Sequence, residues 1–108
     1  MAMPASVSFK KPTGGAQAVT YPYTVSLQGF KKLDYTIAFT MYTSLKGSVT
    51  FKNQSGTVLA TVADNDEVSR TLSGSVNLTG VTSLTVEYYF WSWTGETGTI
   101  KFTKLDLA

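Results

Sequence analysis

The stretch Glu87-Tyr88-Tyr89-Phe90-Trp91-Ser92-Trp93 concentrates the side chains of this chain best suited to gripping a ligand. Successive side chains of a β-strand point to opposite faces. If Leu84, Val86, Tyr88 and Phe90 are buried, then Glu87, Tyr89, Trp91 and Trp93 turn together to the other side. Rings two positions apart stand roughly 7 Å from each other along a strand, a step that suits the successive rings of an extended glycan. A pyranose face presents C–H groups of slight positive character and an aromatic face is electron-rich. Stacking therefore combines apolar burial with a weak electrostatic attraction. The plainer use of such rings is to pack beneath a loop or to form a second buried face. Two Trp and a Tyr opposite a complete apolar set are nevertheless more than a surface exposes without a use.

Other chemistries are limited by what the chain lacks. With no Cys and no His, it has no thiolate nucleophile, disulfide, Cys- or His-ligated metal, Ser-His-Asp triad or neutral-pH proton shuttle. Only seven carboxylates are present, and a glycosidase needs two facing each other across a cleft. Glu87 and Glu96 are the pair one would propose, but Glu96 sits in a Gly-flanked turn, where charge is expected anyway. The reading is of a protein that is not an enzyme and needs no cofactor. A net charge of +2, with basic residues adjacent only at Lys10-Lys11 and Lys31-Lys32, gives no stripe for nucleic acid. No apolar run approaches the roughly 20 residues that cross a bilayer, so no membrane is implied.

The 108 residues read as a single domain over 1–108, with 1–5 as a remnant or linker and no signal-peptide pattern at Met1-Ala2-Met3-Pro4. Nearly every segment alternates with a period of two, is rich in Val, Thr, Tyr and Phe, and is punctuated by Gly, Asn or Ser. Val19, Tyr21, Tyr23, Val25 and Leu27 form one inward set, and Pro22 between them demands an edge strand or a bulge. Leu33, Tyr35, Ile37, Phe39 and Met41 form another. Val49 and Phe51 mark a strand that turns at Asn53-Gln54-Ser55-Gly56 into Thr57–Ala63. An acidic, solvated loop Asp64-Asn65-Asp66-Glu67 follows, then Val68, Arg70 and Leu72 in alternation, and Val76 and Leu78 after Gly74. Ile100 and Phe102 change phase to Leu105 and Leu107, predicting a bulge near Thr103-Lys104. Seven or eight short strands and no helical period predict an all-β fold, an antiparallel β-sandwich of jelly-roll type.

Taking Thr94–Gly98 as a hairpin loop pairs Trp93 with Thr99, Trp91 with Lys101 and Tyr89 with Thr103. On that register Glu87 and Lys101 flank the aromatic row as partners for sugar hydroxyls, or else form an ordinary pair of surface charges. Thr36, Ala38 and Thr40 are a candidate floor for a shallow cleft, with Tyr42 as a further platform, provided their strand joins the same sheet.

From Val81 onward, a Thr82-Ser83-Leu84-Thr85-Val86 strand leads into outward aromatics and the chain closes with Gly98-Thr99-Ile100-Lys101-Phe102-Thr103-Lys104-Leu105-Asp106-Leu107. This pattern resembles the β-sandwich carbohydrate-binding modules found beside bacterial plant-cell-wall hydrolases, cellulosomal ones included. The resemblance implies a secreted, extracellular module, fused to a glycoside hydrolase, that binds a β-linked polysaccharide such as β-glucan, glucomannan, mannan or cellulose. By the same analogy Trp91 and Trp93 are the platform residues. Many such modules hold a structural calcium near both termini. Asp106 fits that pattern, but Val7-Ser8-Phe9-Lys10-Lys11 offers no matching acid and the acidic loop lacks EF-hand spacing, so no metal is assigned. The rival reading of the same face is a protein-interaction or adhesion domain, since Tyr and Trp are also enriched at protein interfaces. Coplanar exposed rings in a row favour a glycan, and a ragged patch mixed with Leu and Met favours a protein.

Overall fold

The computed structural model describes residues 6–10, 17–27, 29–41, 45–65, 68–92 and 97–108. Eight strands are present: β1 (Ser6–Lys10), β2 (Gln17–Ser26), β3 (Lys32–Thr40), β4 (Leu45–Lys52), β5 (Val58–Asp64), β6 (Arg70–Asn77), β7 (Ser83–Ser92) and β8 (Thr97–Leu107). They form two antiparallel four-stranded sheets, one in the order β1-β8-β3-β6 and the other β2-β7-β4-β5. Pairing follows a nested pattern: β4 with β5, β3 with β6, β2 with β7 and β1 with β8. The chain is therefore one long hairpin folded about the β4–β5 turn. Its successive strand pairs alternate between the sheets, and the β4–β7 and β3–β8 ladders complete each of them. That winding is the jelly roll.

Alternation sets the core. Leu33, Tyr35, Ile37, Phe39 and Met41 from one sheet meet Leu84, Val86, Tyr88 and Phe90 from the other, and all are buried. Fully burying a side chain of this size stabilises the fold by about 1.5–3 kcal/mol. The aromatic members pack edge to face: Tyr88 lies 6.0 Å from Phe102 at 81° and 5.7 Å from Tyr23 at 80°. Burial pushes the Tyr88 phenol well above its ordinary pKa, with the neighbouring Tyr23 adding to the shift.

Local devices hold the strands in register. In the β4–β5 turn, Asn53 Oδ1 accepts from the backbone N–H groups of Ser55 and Thr57, and Gly56 adopts a φ of 80°. Pro22 lies on β2, an edge strand, where its missing N–H costs no ladder bond. The β3–β8 register slips between Thr36 and Ile37, whose partners are Lys104 and Phe102, leaving Thr103 as the extra residue of the bulge.

Three expectations are corrected. Val68 precedes β6 and is 49% exposed, so it takes no part in the alternation of that strand. Gly74 lies within β6, opposite Tyr35, where a Cβ would collide with the Tyr35 ring. Gly98 belongs to β8 rather than to a turn. Asp64 is not solvated: it ends β5 fully buried, where Arg70 Nε approaches Oδ1 at 3.7 Å. Since β5 and β6 are edge strands of different sheets, this ion pair bridges the open side of the sandwich.

Candidate functional site

The strand that carries the aromatic row is central in its sheet, between β2 and β4. Leu84, Val86, Tyr88 and Phe90 are wholly buried beneath it, which fixes Glu87, Tyr89 and Trp91 on the outer face, each half-buried. The flanking ladders fix what stands beside them. Trp91 lies between Ala18 and Lys46, Tyr89 between Thr20 and Ser48, and Glu87 between Pro22 and Thr50. The next rank pairs Thr24 with Thr85, their hydroxyls 2.9 Å apart, and places Lys52 on the far side.

Charge on this face is ordered. Lys52 Nζ donates to Glu87 Oε1 at 3.1 Å, both side chains being under a third exposed, so this pair holds its geometry against the sheet. Lys46 Nζ instead stands 5.2 Å from the centroid of the Trp91 ring, a cation–π contact worth about 0.5–1 kcal/mol at such a site. The two ends of the row therefore differ: an ion pair at Glu87 and an ammonium resting on an aromatic ring at Trp91.

The expectation for Lys101 is overturned. β7 and β8 follow each other in the chain yet lie in opposite sheets, so there is no β7–β8 hairpin and no Trp91–Lys101 register. Lys101 pairs across β8 with Ala38 and Ser6, on the outer face of the other sheet. Thr36, Ala38 and Thr40 sit on that same remote face and are no floor for the aromatic row. Trp93 and Tyr42 lie outside the described residues, as do Asp66 and Glu67 of the acidic loop. Asp106 lies opposite Asp34, which takes a hydrogen bond from Ser75. Among the described residues no three carboxylates gather to hold a metal.

Sequence reasoning missed the residues that do flank the row: Lys46, Ser48, Thr50 and Lys52 of β4, and Thr20 and Pro22 of β2. The alternation of β4 is readable, since Leu45, Gly47, Val49 and Phe51 are buried and the residues between them are half-buried. Its position beside β7 was not readable without the sheet order.

A hollow of about 380 Å³ lies elsewhere, at one end of the sandwich, lined by Leu27, Phe30, Lys31, Thr79, Val81 and Thr82 among others. Among the described residues, Phe30 is its one aromatic and Lys31 its one charged group.

The fold and this face together define the class as a jelly-roll β-sandwich with an aromatic strand on one outer surface. Among solved structures with this fold is the carbohydrate-binding module TmCBM61 in complex with β-1,4-galactotriose. It matches with a TM-score of 0.66 at 12% identity, over 96% of this chain and 83% of that one. The enzymatically active domain of bacteriophage CBA120 tailspike protein 4 matches with a TM-score of 0.60 at 16% identity, over 95% of this chain and 15% of that one. The arabinose-bound α-L-arabinofuranosidase MgGH51 matches at 0.51 and 13% identity, over 94% of this chain and 19% of that one. At these identities the likeness is one of fold. No family model and no curated protein matches the sequence.

Proposed function

We propose that this chain is a non-catalytic module that binds a β-linked polysaccharide along the outer face of β7, with Tyr89 and Trp91 as stacking platforms and Trp93 continuing the row. The observation that carries this reading is the composition of the face. Two half-buried rings stand in line on a central strand, with Ala18, Thr20, Pro22, Lys46, Ser48 and Thr50 along its two sides and Glu87 in the same row, and with no Leu or Met in that set among the described residues. The centre of a protein-docking patch is depleted of charged residues, whereas here Lys46 lies beside Trp91 and Glu87 stands in the row itself. Here the neighbours are hydroxyls and charges, the groups that hydrogen-bond sugar hydroxyls. Glu87 and Lys52, already held together, are placed to choose among epimers.

The platform is preformed by the sheet, so little ordering cost falls on the protein when an extended chain settles on it. A dissociation constant between roughly micromolar and millimolar follows, about 8 to 4 kcal/mol. The ligand classes are β-1,4-glucan, glucomannan and mannan; β-1,4-galactan joins them because a module of the same fold was solved with its trisaccharide. Such a module acts outside the cell, fused to a glycoside hydrolase that it keeps near its substrate.

Affinity electrophoresis of the wild type and Trp91→Ala through gels containing each polysaccharide, with an insoluble-cellulose pull-down in parallel, tests this. Retardation of the wild type alone is the expected result. A folded wild type that is retarded in no gel and leaves the cellulose blank would transfer the face to a protein partner.

A further inference from the structure

We infer that Lys46 makes the Trp91 end of this face selective for an acidic sugar, one whose pyranose carries a carboxylate in place of its primary alcohol. The inference rests on the glycan-binding reading of β7 and goes on to name the sugar chemistry. Among the described residues, the charged side chains on the outer face of this sheet are Lys46 and Lys52 on β4 and Glu87 on β7. Glu87 is committed to Lys52 at 3.1 Å. Lys46 has no carboxylate within ion-pair distance among the described residues; its ammonium rests on the Trp91 ring instead, at 5.2 Å from the centroid. Among the described residues the face thus carries one positive charge without a carboxylate partner, and it lies on a platform ring.

That placement treats neutral and acidic sugars differently. A neutral pyranose stacking on Trp91 must move the ammonium off the ring, and the lost cation–π contact subtracts from the stacking it gains. A uronic sugar meets the same ammonium with a carboxylate at the edge of its ring. Lys46 shares a ladder rung with Trp91, and its flexible four-carbon stem lets the charge swing from the ring face to that edge. The displaced contact is then replaced by a charge-assisted hydrogen bond. Discrimination therefore arises on this rung, since the charges at the other end of the row, Glu87 and Lys52, already offset each other.

The test is isothermal titration with β-1,4-gluco- and β-1,4-galacto-oligosaccharides and with the same oligosaccharides oxidised at C6, which replaces the primary alcohol by a carboxylate and leaves the rings and linkages as they are. The expected result is about threefold to fivefold tighter binding of the oxidised form, the scale of a solvent-accessible ion pair. That preference falls towards unity between ~20 mM and ~0.3 M salt. It is lost in Lys46→Met and restored in Lys46→Arg. Equal or weaker binding of the oxidised forms, with the neutral ones bound, would overturn the acidic-sugar inference and leave the glycan-binding reading standing. A preference that survives in Lys46→Met would overturn the role of Lys46. Binding of neither series would remove both readings together.

Discussion

The two outer faces of the sandwich are built by the same rule and end in opposite chemistry. Each sheet buries every second residue, and each leaves the other half of its strands facing outward. On β3 and β6 several outward polar residues are satisfied by one another: Thr36 Oγ1 lies 2.9 Å from Ser73 Oγ, Ser75 donates to Asp34, and Lys32 Nζ sits 3.3 Å from Asp34, while β8 turns Lys101 and Lys104 to solvent. On β7 the outward residues are Glu87, Tyr89 and Trp91, which are larger than the space between strands can hide. Among the described residues the first face turns no aromatic ring outward on β3, β6 or β8. The second leaves ring area standing above a hydroxyl floor. Burial alternation, which makes the fold, is silent about that difference; the choice of outward residues makes it.

The largest expected effect breaks the comparison itself, by loosening the edge where the faces are joined. Asp64 is fully buried and Arg70 is 39% exposed at their 3.7 Å contact. Removing one partner of a buried pair is costly because the remaining charge loses its compensation. Arg70→Ala should destabilise the fold by about 2–3 kcal/mol, at the low end for such pairs because Arg70 still meets solvent. Urea unfolding measures this, and Arg70→Lys should recover part of the loss. A change below about 0.5 kcal/mol would mean that the sandwich edge does not depend on this bridge.

Next in size is the contrast between Trp91 and Lys101. Trp91→Ala should cost about 2 kcal/mol of binding to whichever polysaccharide retards the wild type, roughly thirtyfold in affinity. Lys101→Ala, on the opposite face, should change it by less than about twofold. An equal loss in both variants would assign the glycan to neither face. Glu87→Gln is a finer cut: it releases Lys52 and should alter relative affinities among glucan, mannan and galactan by about 1 kcal/mol or less, without abolishing binding. A uniform loss across all three would make Glu87 a support for the strand and remove it from the ligand contacts.

What the sequence makes legible is what depends on one strand at a time. The inward sets of β3 and β7, Pro22 at an edge, the turn at Asn53–Gly56 and the slip at Thr103 all follow from local alternation or from a single residue's backbone chemistry. Sheet order does not. β7 ends at Ser92 and β8 begins at Thr97, a spacing that serves a hairpin as readily as a crossing between sheets. Taking it for a hairpin put Lys101 beside Trp91 in place of Lys46. Asp64 was illegible for a related reason: an acidic residue at a loop entrance is normally solvated, and its burial becomes tolerable where the fold brings Arg70 of the other sheet's edge strand beside it.

The smallest effect is on the plain face, and it sharpens the contrast by showing that its charges serve the fold. The Ser75 hydroxyl, and then Lys32, hold the Asp34 carboxyl below the usual carboxylate range, against a smaller opposing effect of burial. A depressed folded-state pKa means that the associated stability is present above the ordinary carboxylate pKa of about 4 and is lost as pH falls through the folded value. Ser75→Ala should move the Asp34 titration, followed by NMR of its carboxyl carbon, up towards that ordinary range, and should shrink the loss of stability on acidification. Because Ser75 and Asp34 lie on the sheet opposite Trp91, glycan affinity at neutral pH should be the same in this variant as in the wild type. A fall in affinity would mean that the two faces are coupled through the core that Leu33, Tyr35 and Tyr88 share, and that the plain face helps to set the aromatic one.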